Sequence, residues 1–216
     1  MKAIIIDWDN TLVDFNYWQR VRFLELTKWV ENELGIKHFD HTFWRIFNTN
    51  SQYYFKSIRD TLVELKQDLS LNDVIIARMK SISVTDLVVK DAEWFLKETH
   101  KLGLKICMLT MGSESTYINR PRNVGLDKYF DYQFYGSDII KPHVASYYEC
   151  FKKLGTDDVV VIGDDQRDLL APYHLGKRCI MVDHFNLGLP RLYDIPVCKN
   201  FSEVLERIKI EDSKVD

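Results

Sequence analysis

Short apolar runs rich in β-branched residues alternate with helical stretches through the second half of this sequence. The runs LKICMLT, YQFYG, VVVIG and RCIMVD are separated by segments with the apolar spacing of helices. Runs of this length are typical of strands that are buried on both faces of a sheet. Because strands that alternate with helices form parallel sheets, the sequence predicts a doubly wound, Rossmann-like α/β core. The first apolar run, KAIIID, is expected to join the same sheet.

The segment that follows this first run has a different character. From residue 15 to about residue 84 the pattern is helical and rich in aromatic side chains, and Gly35 stands where the first helix would end. The sequence therefore predicts a core domain of residues 1–14 and 85–216, with a helical domain of residues 15–84 inserted after the first strand. Near the C-terminus we expect an edge strand around IPVC and a helix over residues 201–208.

Composition excludes several classes of function. The net charge of -3 provides no basic surface for nucleic acid, and no apolar stretch is long enough to span a bilayer. The four cysteines are widely spaced, which argues against a zinc site or a disulfide framework. The sequence contains no P-loop, GxGxxG or HExxH motif. Because the N-terminus enters a strand without a signal-peptide pattern, we expect a cytoplasmic protein.

Two carboxylates, Asp7 and Asp9, stand at the end of the first predicted strand. Like charges at the mouth of a buried strand repel each other and resist desolvation, so they need a compensating partner. Ligands of parallel sheets bind outside the carboxyl ends of the strands, where this chain also places Thr110, Lys141 and Asp164. Mg²⁺ prefers oxygen ligands and makes such a cluster of carboxylates tolerable. We therefore predict that Asp164 helps to hold Mg²⁺.

These residue types suit the transfer of a phosphoryl group. Asp7 would be the nucleophile that attacks phosphorus and forms an aspartyl-phosphate. Asp9 would protonate the leaving oxygen and then activate the water that hydrolyses the intermediate. Lys141 would neutralise phosphate oxygens and pair with Asp7. Each motif alone could be a turn or a helix cap, but their convergence on predicted strand ends favours catalysis.

A phosphate-binding loop is predicted after the second strand of the core. The Thr110 hydroxyl and the backbone N–H groups around Met111 and Gly112 would bind the phosphate oxygens. They lie just before a helix predicted from Glu114 to about Val124, and a helix N-terminus favours an anion.

Four ordered motifs, DWDNTL, LTMG, the lysine of IIKPH and GDDQRD, resemble those of the haloacid dehalogenase-like hydrolase superfamily. The similarity covers residues 2–14 and about 89–183, and the helical insertion occupies the place of the family's type 1 cap.

Metal ligands follow from this resemblance. It implies that the metal is bound by Asp7, by Asp9 through its backbone carbonyl, and by Asp164. Asp165 or Asp168 would support the metal, and the spacing of the motif permits either.

The resemblance also bears on the reaction. Dehalogenases of the family have no acid two residues after the nucleophile, so Asp9 favours phosphate chemistry. We therefore expect a Mg²⁺-dependent phosphatase of the phosphatase branch, acting on a small phosphorylated metabolite, as a monomer or homodimer with no nucleic-acid or membrane partner. Two alternatives stay open: a phosphoglucomutase-like phosphotransferase and a catalytically silent binding or scaffold protein.

The inserted helical domain is expected to choose the substrate. Most of its aromatic side chains are predicted to pack between its helices. Three residues are candidate contacts to the substrate: Tyr17, Trp18 and Arg20. Near the strand ends of the core, three more residues are expected to border the pocket: Ser113, Asn119 and Arg120.

Overall fold

A computed structural model describes residues 1–49, 54–136, 141–186, 188 and 193–212 of the chain. The chain divides into two compact units, one of Met1–Phe15 with Asp86–Asp216 and the other of Asn16–Thr85. In the part of the chain that the structure describes, no helix combines the length and hydropathy needed to cross a membrane.

The first unit is built on a parallel sheet of six strands in the spatial order β3-β2-β1-β4-β5-β6. The strands are β1 (Ala3–Ile6), β2 (Lys105–Leu109), β3 (Tyr132–Phe134), β4 (Val159–Gly163), β5 (Arg178–Val182) and β6 (Val197–Cys198). Strand β1 therefore lies in the interior of the sheet and pairs with β2 on one side and β4 on the other. This arrangement confirms the predicted Rossmann-like α/β fold.

Ten α-helices accompany the sheet in the described residues. They are α1 (Phe15–Glu33), α2 (Phe39–Thr49), α3 (Tyr54–Glu64), α4 (Leu71–Ser81), α5 (Ala92–Lys101), α6 (Glu114–Tyr117), α7 (Arg120–Asn123), α8 (Val144–Leu154), α9 (Gln166–His174) and α10 (Phe201–Asp212). A short 3-10 helix spans Asp127–Tyr129. Helices α1 to α4 come between β1 and α5 along the chain.

Helices cover both faces of the sheet, which explains why its central strands β1 and β4 are buried along their whole length. Ile4 and Ile6 pack in one cluster with residues of α5 and α10, where Phe95 stacks on Phe201 with ring centroids 4.7 Å apart. Ile5 packs in the other cluster, with residues of α8 and α9. Successive side chains of a strand point to opposite faces, so β1 contributes to both clusters.

The segment after β2 differs from the prediction of one helix over residues 114–124. It forms two single turns, α6 and α7, separated by Ile118 and Asn119. Pro121 lies in the first turn of α7. Proline lacks the N–H that a continuous helix would need at this position, but it is tolerated in a first turn, so the helix begins again at Arg120.

The second unit is held together by aromatic side chains. Phe43 is fully buried and its ring lies within 4.7–6.1 Å, between centroids, of four other rings. Those rings belong to Phe23, Phe39, Trp44 and Phe47. These aromatic residues therefore pack between the helices of the segment, as most of its aromatic residues were predicted to do.

We expect Phe43→Ala to lower the free energy of unfolding by about 3–5 kcal/mol, because it leaves a cavity among these rings. Urea unfolding followed by circular dichroism measures the loss. Phe55 on α3 is 51% exposed, so Phe55→Ala is the matched control and should change stability by only about 0.5 kcal/mol. Equal losses for the two variants would contradict a core centred on Phe43.

Candidate active site

The carboxyl ends of three neighbouring strands bring the first site residues together. Asp7 follows β1, Thr110 follows β2 and Asp164 follows β4. The sheet pairing continues one residue beyond β1, since the N–H of Asp7 donates to the carbonyl of Ile162 at 3.0 Å. The position of Asp7 is therefore fixed by the backbone of the sheet itself.

The side chain of Asp7 is buried and paired. Lys141 Nζ donates to Oδ1 of Asp7 and also to Oδ1 of Asp168. The hydroxyl of Thr11 lies 3.3 Å from Oδ2 of Asp7. Burial raises the pKa of Asp7 well above its ordinary value, the charge of Asp168 raises it further, and Lys141 opposes both. This carboxyl thus has one cation beside it and further carboxyls nearby.

Lys141 is buried between two carboxylates. Burial alone would lower the pKa of Lys141, but the carboxylates of Asp168 and Asp7 raise it above its usual range. A charged ammonium group beside a carboxylate is what a phosphate ester would need as a counter-charge on approach.

Three carboxyl groups form an acidic cluster at this edge of the sheet. One oxygen from each of Asp7, Asp164 and Asp168 lies within 4.8 Å of the other two. Burial raises the pKa of Asp164 to about 7, and the charge of Asp168 adds to the effect. A β-carbon added at Gly163 would lie 2.5 Å from the side chain of Asp168, so only glycine lets these two residues approach.

The chemistry of this cluster fits a hard divalent cation. All three donors are carboxylate oxygens, and Lys141 is the single ammonium group bonded to them in the part of the chain that the structure describes. Three carboxylates with one ammonium leave a surplus of negative charge in a buried place, which a bound cation would offset. The residues present therefore fit Mg²⁺, which takes oxygen ligands.

Asp165 follows Asp164 in the sequence but caps a helix. It is the N-cap of α9, where its Oδ1 accepts from the backbone N–H of Arg167 at 2.8 Å and from its Nε at 2.9 Å. In return, Oδ2 of Asp168 accepts from the N–H of Asp165 at 3.1 Å, which completes a capping box. Of the two carboxylates that the sequence left open, the structure brings Asp168 into the cluster and Asp165 onto the helix end.

The loop after β2 is tightly packed. Thr110 is buried and its Oγ1 accepts from the N–H of Gly112 at 3.1 Å, while Met111 is exposed. A β-carbon added at Gly112 would lie 2.1 Å from the ring of Tyr117, so a side chain there would displace the tyrosine. The loop and α6 therefore form one packed piece.

The helix that follows this loop is shorter than predicted. Because α6 has four residues, few peptide dipoles are aligned behind the loop, and the expected contribution of a helix N-terminus to anion binding is small. Phosphate binding here would depend on the Thr110 hydroxyl, on backbone N–H groups and on Lys141.

Asp9 lies in a polar setting of its own. Its Oδ2 accepts from the hydroxyl of Tyr117 at 2.6 Å, and its Oδ1 lies 3.3 Å from Nη2 of Arg120. Burial raises the pKa of Asp9, while the charge of Arg120 and the hydrogen bond from Tyr117 act in the opposite direction. Oδ2 of Asp9 therefore accepts a hydrogen bond, whereas Oδ1 has the charge of Arg120 beside it but accepts no hydrogen bond from the described residues.

Arg120 is fixed from its other side by Asp86. Its Nε donates to Oδ2 of Asp86 at 2.8 Å and its Nη2 donates to Oδ1, so the pair is bidentate and buried. The sequence analysis named Arg120 among the residues near the pocket but did not identify Asp86 or Tyr117. Nothing local in the sequence links residues 9, 86 and 117, since only the fold makes them neighbours.

The three candidate substrate contacts of the inserted segment all lie on α1. Trp18 is buried under the guanidinium group of Arg22, which lies 4.7 Å from the centroid of its ring. Tyr17 and Arg20 are exposed. Their contact with substrate stays a prediction.

Comparisons with known proteins add to this geometry. A profile of the haloacid dehalogenase-like hydrolase family matches residues 1–176. No protein with a curated description matches the sequence. Among solved structures, a candidate β-phosphoglucomutase from Thermotoga maritima is 18% identical, with 96% of this chain and 100% of that chain covered and a TM-score of 0.76.

Two further solved structures have the same fold. A 2-haloacid dehalogenase from Pseudomonas syringae pv. Tomato DC3000 is 18% identical over 97% of this chain and 98% of its own, with a TM-score of 0.67. A predicted phosphoglycolate phosphatase from Haemophilus somnus 129PT is 16% identical over 96% and 98%, with a TM-score of 0.70. At these identities the likeness concerns the fold, whereas the profile match spans most of the sequence and all four motifs. The chain belongs to the haloacid dehalogenase-like hydrolase family.

Proposed function

We propose that this protein is a Mg²⁺-dependent phosphatase that hydrolyses a small phosphorylated metabolite through an aspartyl-phosphate. The observation that carries the proposal is the pair of carboxyls at the end of β1. Asp7 is bonded to Lys141, whereas Asp9, two residues later, has a separate set of partners. Two carboxyls with different surroundings suit two roles, a nucleophile and an acid–base group.

The reaction would proceed in two steps on these residues. A carboxylate oxygen of Asp7 attacks phosphorus, and the bond from phosphorus to the ester oxygen breaks. Asp9 gives its proton to that leaving oxygen. In the second step Asp9 takes a proton from water, which attacks phosphorus and releases Asp7 and inorganic phosphate. Lys141 and Thr110 would hold the phosphate oxygens through both steps.

The side chains of Asp7, Asp164 and Asp168, together with the backbone carbonyl of Asp9, would hold Mg²⁺. When bound, the cation offsets the charge shared by the carboxylates and the phosphate. Without it, a phosphate dianion would meet three carboxylates, to which Lys141 is the one ammonium group hydrogen-bonded within the described residues.

A phosphotransferase is the second candidate, and the candidate β-phosphoglucomutase of similar fold favours it. It would use the same two carboxyls but return the phosphoryl group to a sugar phosphate instead of water. A silent binding protein is less well supported, because such a protein has no need for the buried pair of Asp7 and Lys141. We further propose a cytoplasmic monomer or homodimer with no nucleic-acid or membrane partner.

Release of phenolate from an aryl phosphate tests the proposal. We expect turnover in the presence of Mg²⁺ and none with a chelator. Assays of halide release from a 2-haloacid and of phosphoryl transfer between sugar phosphates run beside it. Halide release without phosphate release would contradict the proposal in favour of a dehalogenase, and transfer faster than hydrolysis would favour the phosphotransferase.

Asp164→Asn should raise the Mg²⁺ concentration needed for half-maximal activity by about 10–100-fold, because one of the clustered carboxylates loses its charge. A Mg²⁺ titration of aryl phosphate hydrolysis measures this.

Asp165→Asn is the matched control. Asparagine is also a good N-cap, so this variant should change the Mg²⁺ requirement by less than about 3-fold and leave α9 intact. A larger effect on the Mg²⁺ requirement at Asp165 than at Asp164 would show that our assignment of the cation ligands is wrong.

A further inference from the structure

We propose that Tyr117 and Arg120 are positioning residues that hold the Asp9 carboxyl for proton transfer to the leaving group. The inference rests on the proposed phosphatase function and adds to it. It concerns one network of contacts within the first unit, which joins Gly112, Tyr117, Asp9, Arg120 and Asp86.

Tyr117 cannot move far from Asp9. Its ring packs directly on Gly112, where a β-carbon would come within 2.1 Å of it. On another side the guanidinium carbon of Arg120 lies 4.0 Å from the ring centroid, a cation–π contact. Between these two contacts the hydroxyl reaches Oδ2 of Asp9 at 2.6 Å. The tyrosine therefore ties Asp9 to the loop that is proposed to bind phosphate.

Arg120 is equally constrained. Its bidentate pairing with Asp86 fixes the plane of the guanidinium group, because both carboxylate oxygens are used. Arg120 and Asp86 are 5% and 7% exposed, so solvent does not compete for the pair. In that orientation Nη2 also faces Oδ1 of Asp9 at 3.3 Å. Lysine, a point charge, would not reproduce this double contact.

The Asp9 carboxyl thus accepts a hydrogen bond at Oδ2 from a tyrosine that is held by other groups, and at Oδ1 it has the fixed positive charge of Arg120 beside it. When Asp9 gives its proton to the leaving oxygen, a negative charge appears on the carboxylate. The hydrogen bond from the O–H of Tyr117 and the nearby positive charge of Arg120 would both stabilise that charge. When water later returns a proton to Asp9, the same contacts hold the carboxylate in the correct place to accept it.

This role makes a specific demand on the substrate. A good leaving group departs as an anion without a proton, whereas a poor one needs Asp9 to protonate it. Weaker positioning of the Asp9 carboxyl should therefore slow the reaction of esters with poor leaving groups more than that of esters with good leaving groups. The value of kcat/KM is the right quantity, because it reports the step that forms the aspartyl-phosphate and not the later hydrolysis, which all substrates share.

The test compares 4-nitrophenyl phosphate, which has the better leaving group, with phenyl phosphate, which has a similar size. For Tyr117→Phe we expect kcat/KM to fall by about 3-fold with the first ester and by about 30-fold with the second. Phenylalanine keeps the ring on Gly112 and removes only the hydroxyl. Tyr129→Phe is the matched control, because its hydroxyl donates to the exposed Glu93 carboxylate at 3.0 Å, and it should change neither value.

Asp86→Asn provides a second variant in case Tyr117→Phe folds poorly, which thermal unfolding reports. It loosens Arg120 without touching Asp9 and should change the ratio of the two kcat/KM values in the same direction. Equal losses with both esters in both variants, or no loss in either, would overturn the positioning role while the phosphatase function stands. Absence of Asp7-dependent phosphate release by the wild-type enzyme from either ester would overturn both.

Discussion

Asp7→Asn should abolish phosphatase turnover, with kcat falling by at least about four orders of magnitude. The amide keeps the size of the side chain but has no carboxylate oxygen to attack phosphorus, so no aspartyl-phosphate can form. Hydrolysis of an aryl phosphate at saturating Mg²⁺ measures the loss. Trapping of radiolabelled phosphate on the protein, which should occur only with Asp7, identifies the missing step.

The control for this variant is Asp157→Asn. Asp157 also pairs with a lysine, Lys177, at 2.7 Å, but its side chain is 73% exposed. We expect unchanged turnover, because the pair lies at the surface and away from the strand ends that carry the site. An Asp7→Asn enzyme that hydrolyses the ester at the wild-type rate would refute the assignment of Asp7 as the nucleophile.

Lys141→Met should destabilise the fold as well as stop catalysis. Removal of the ammonium group leaves the buried carboxylates of Asp7 and Asp168 without their shared partner. Breaking a buried ion pair from one side costs about 3–5 kcal/mol, because the remaining charge stays desolvated. Urea unfolding in the presence of a chelator measures the cost, and the aryl phosphate assay should show no turnover.

Lys177→Met is the matched comparison. It removes a lysine whose side chain is 18% exposed and whose partner carboxylate is 73% exposed, for which we expect a loss of about 1 kcal/mol or less and full activity. If Lys141→Met were as stable as Lys177→Met, the buried pair would not have the energetic role that its surroundings indicate. Addition of Mg²⁺ to Lys141→Met should recover part of the lost stability, since the cation supplies charge that the lysine no longer provides.

Much of the fold and part of the site could be predicted because the signals are local. The β-branched run before Asp7 indicated a buried strand, and motifs at successive strand ends converge in any parallel sheet. Asp7, Thr110, Lys141 and Asp164 could therefore be named from the sequence as one group.

The remaining parts of the site depend on contacts between distant residues. Tyr117 reaches Asp9 from the segment after β2, which pairs with β1, and Asp86 is placed by the bridge between Val13 and Val88, so no spacing rule marks them. Asp165 and Asp168 both take part in the capping box of α9, and only the fold shows that Asp168 also reaches the acidic cluster. The prediction of a single long helix after Thr110 was wrong because the helix is interrupted between Tyr117 and Arg120. Pro121, in the first turn of α7, lacks the N–H that a continuous helix would need, which outweighs the helical propensity of its neighbours.

The central position of β1 in the sheet has a consequence for the folding of the active protein. Ile4 pairs with Ile106 on one side and with Val160 on the other. The first strand therefore pairs with segments from the middle and from the last third of the chain. Closing such long loops is entropically costly and slow, and the inserted helices lengthen the first of them. Asp7 acquires its surroundings only when both pairings exist. Recovery of catalysis during refolding should therefore coincide with completion of the sheet, later than the appearance of helices.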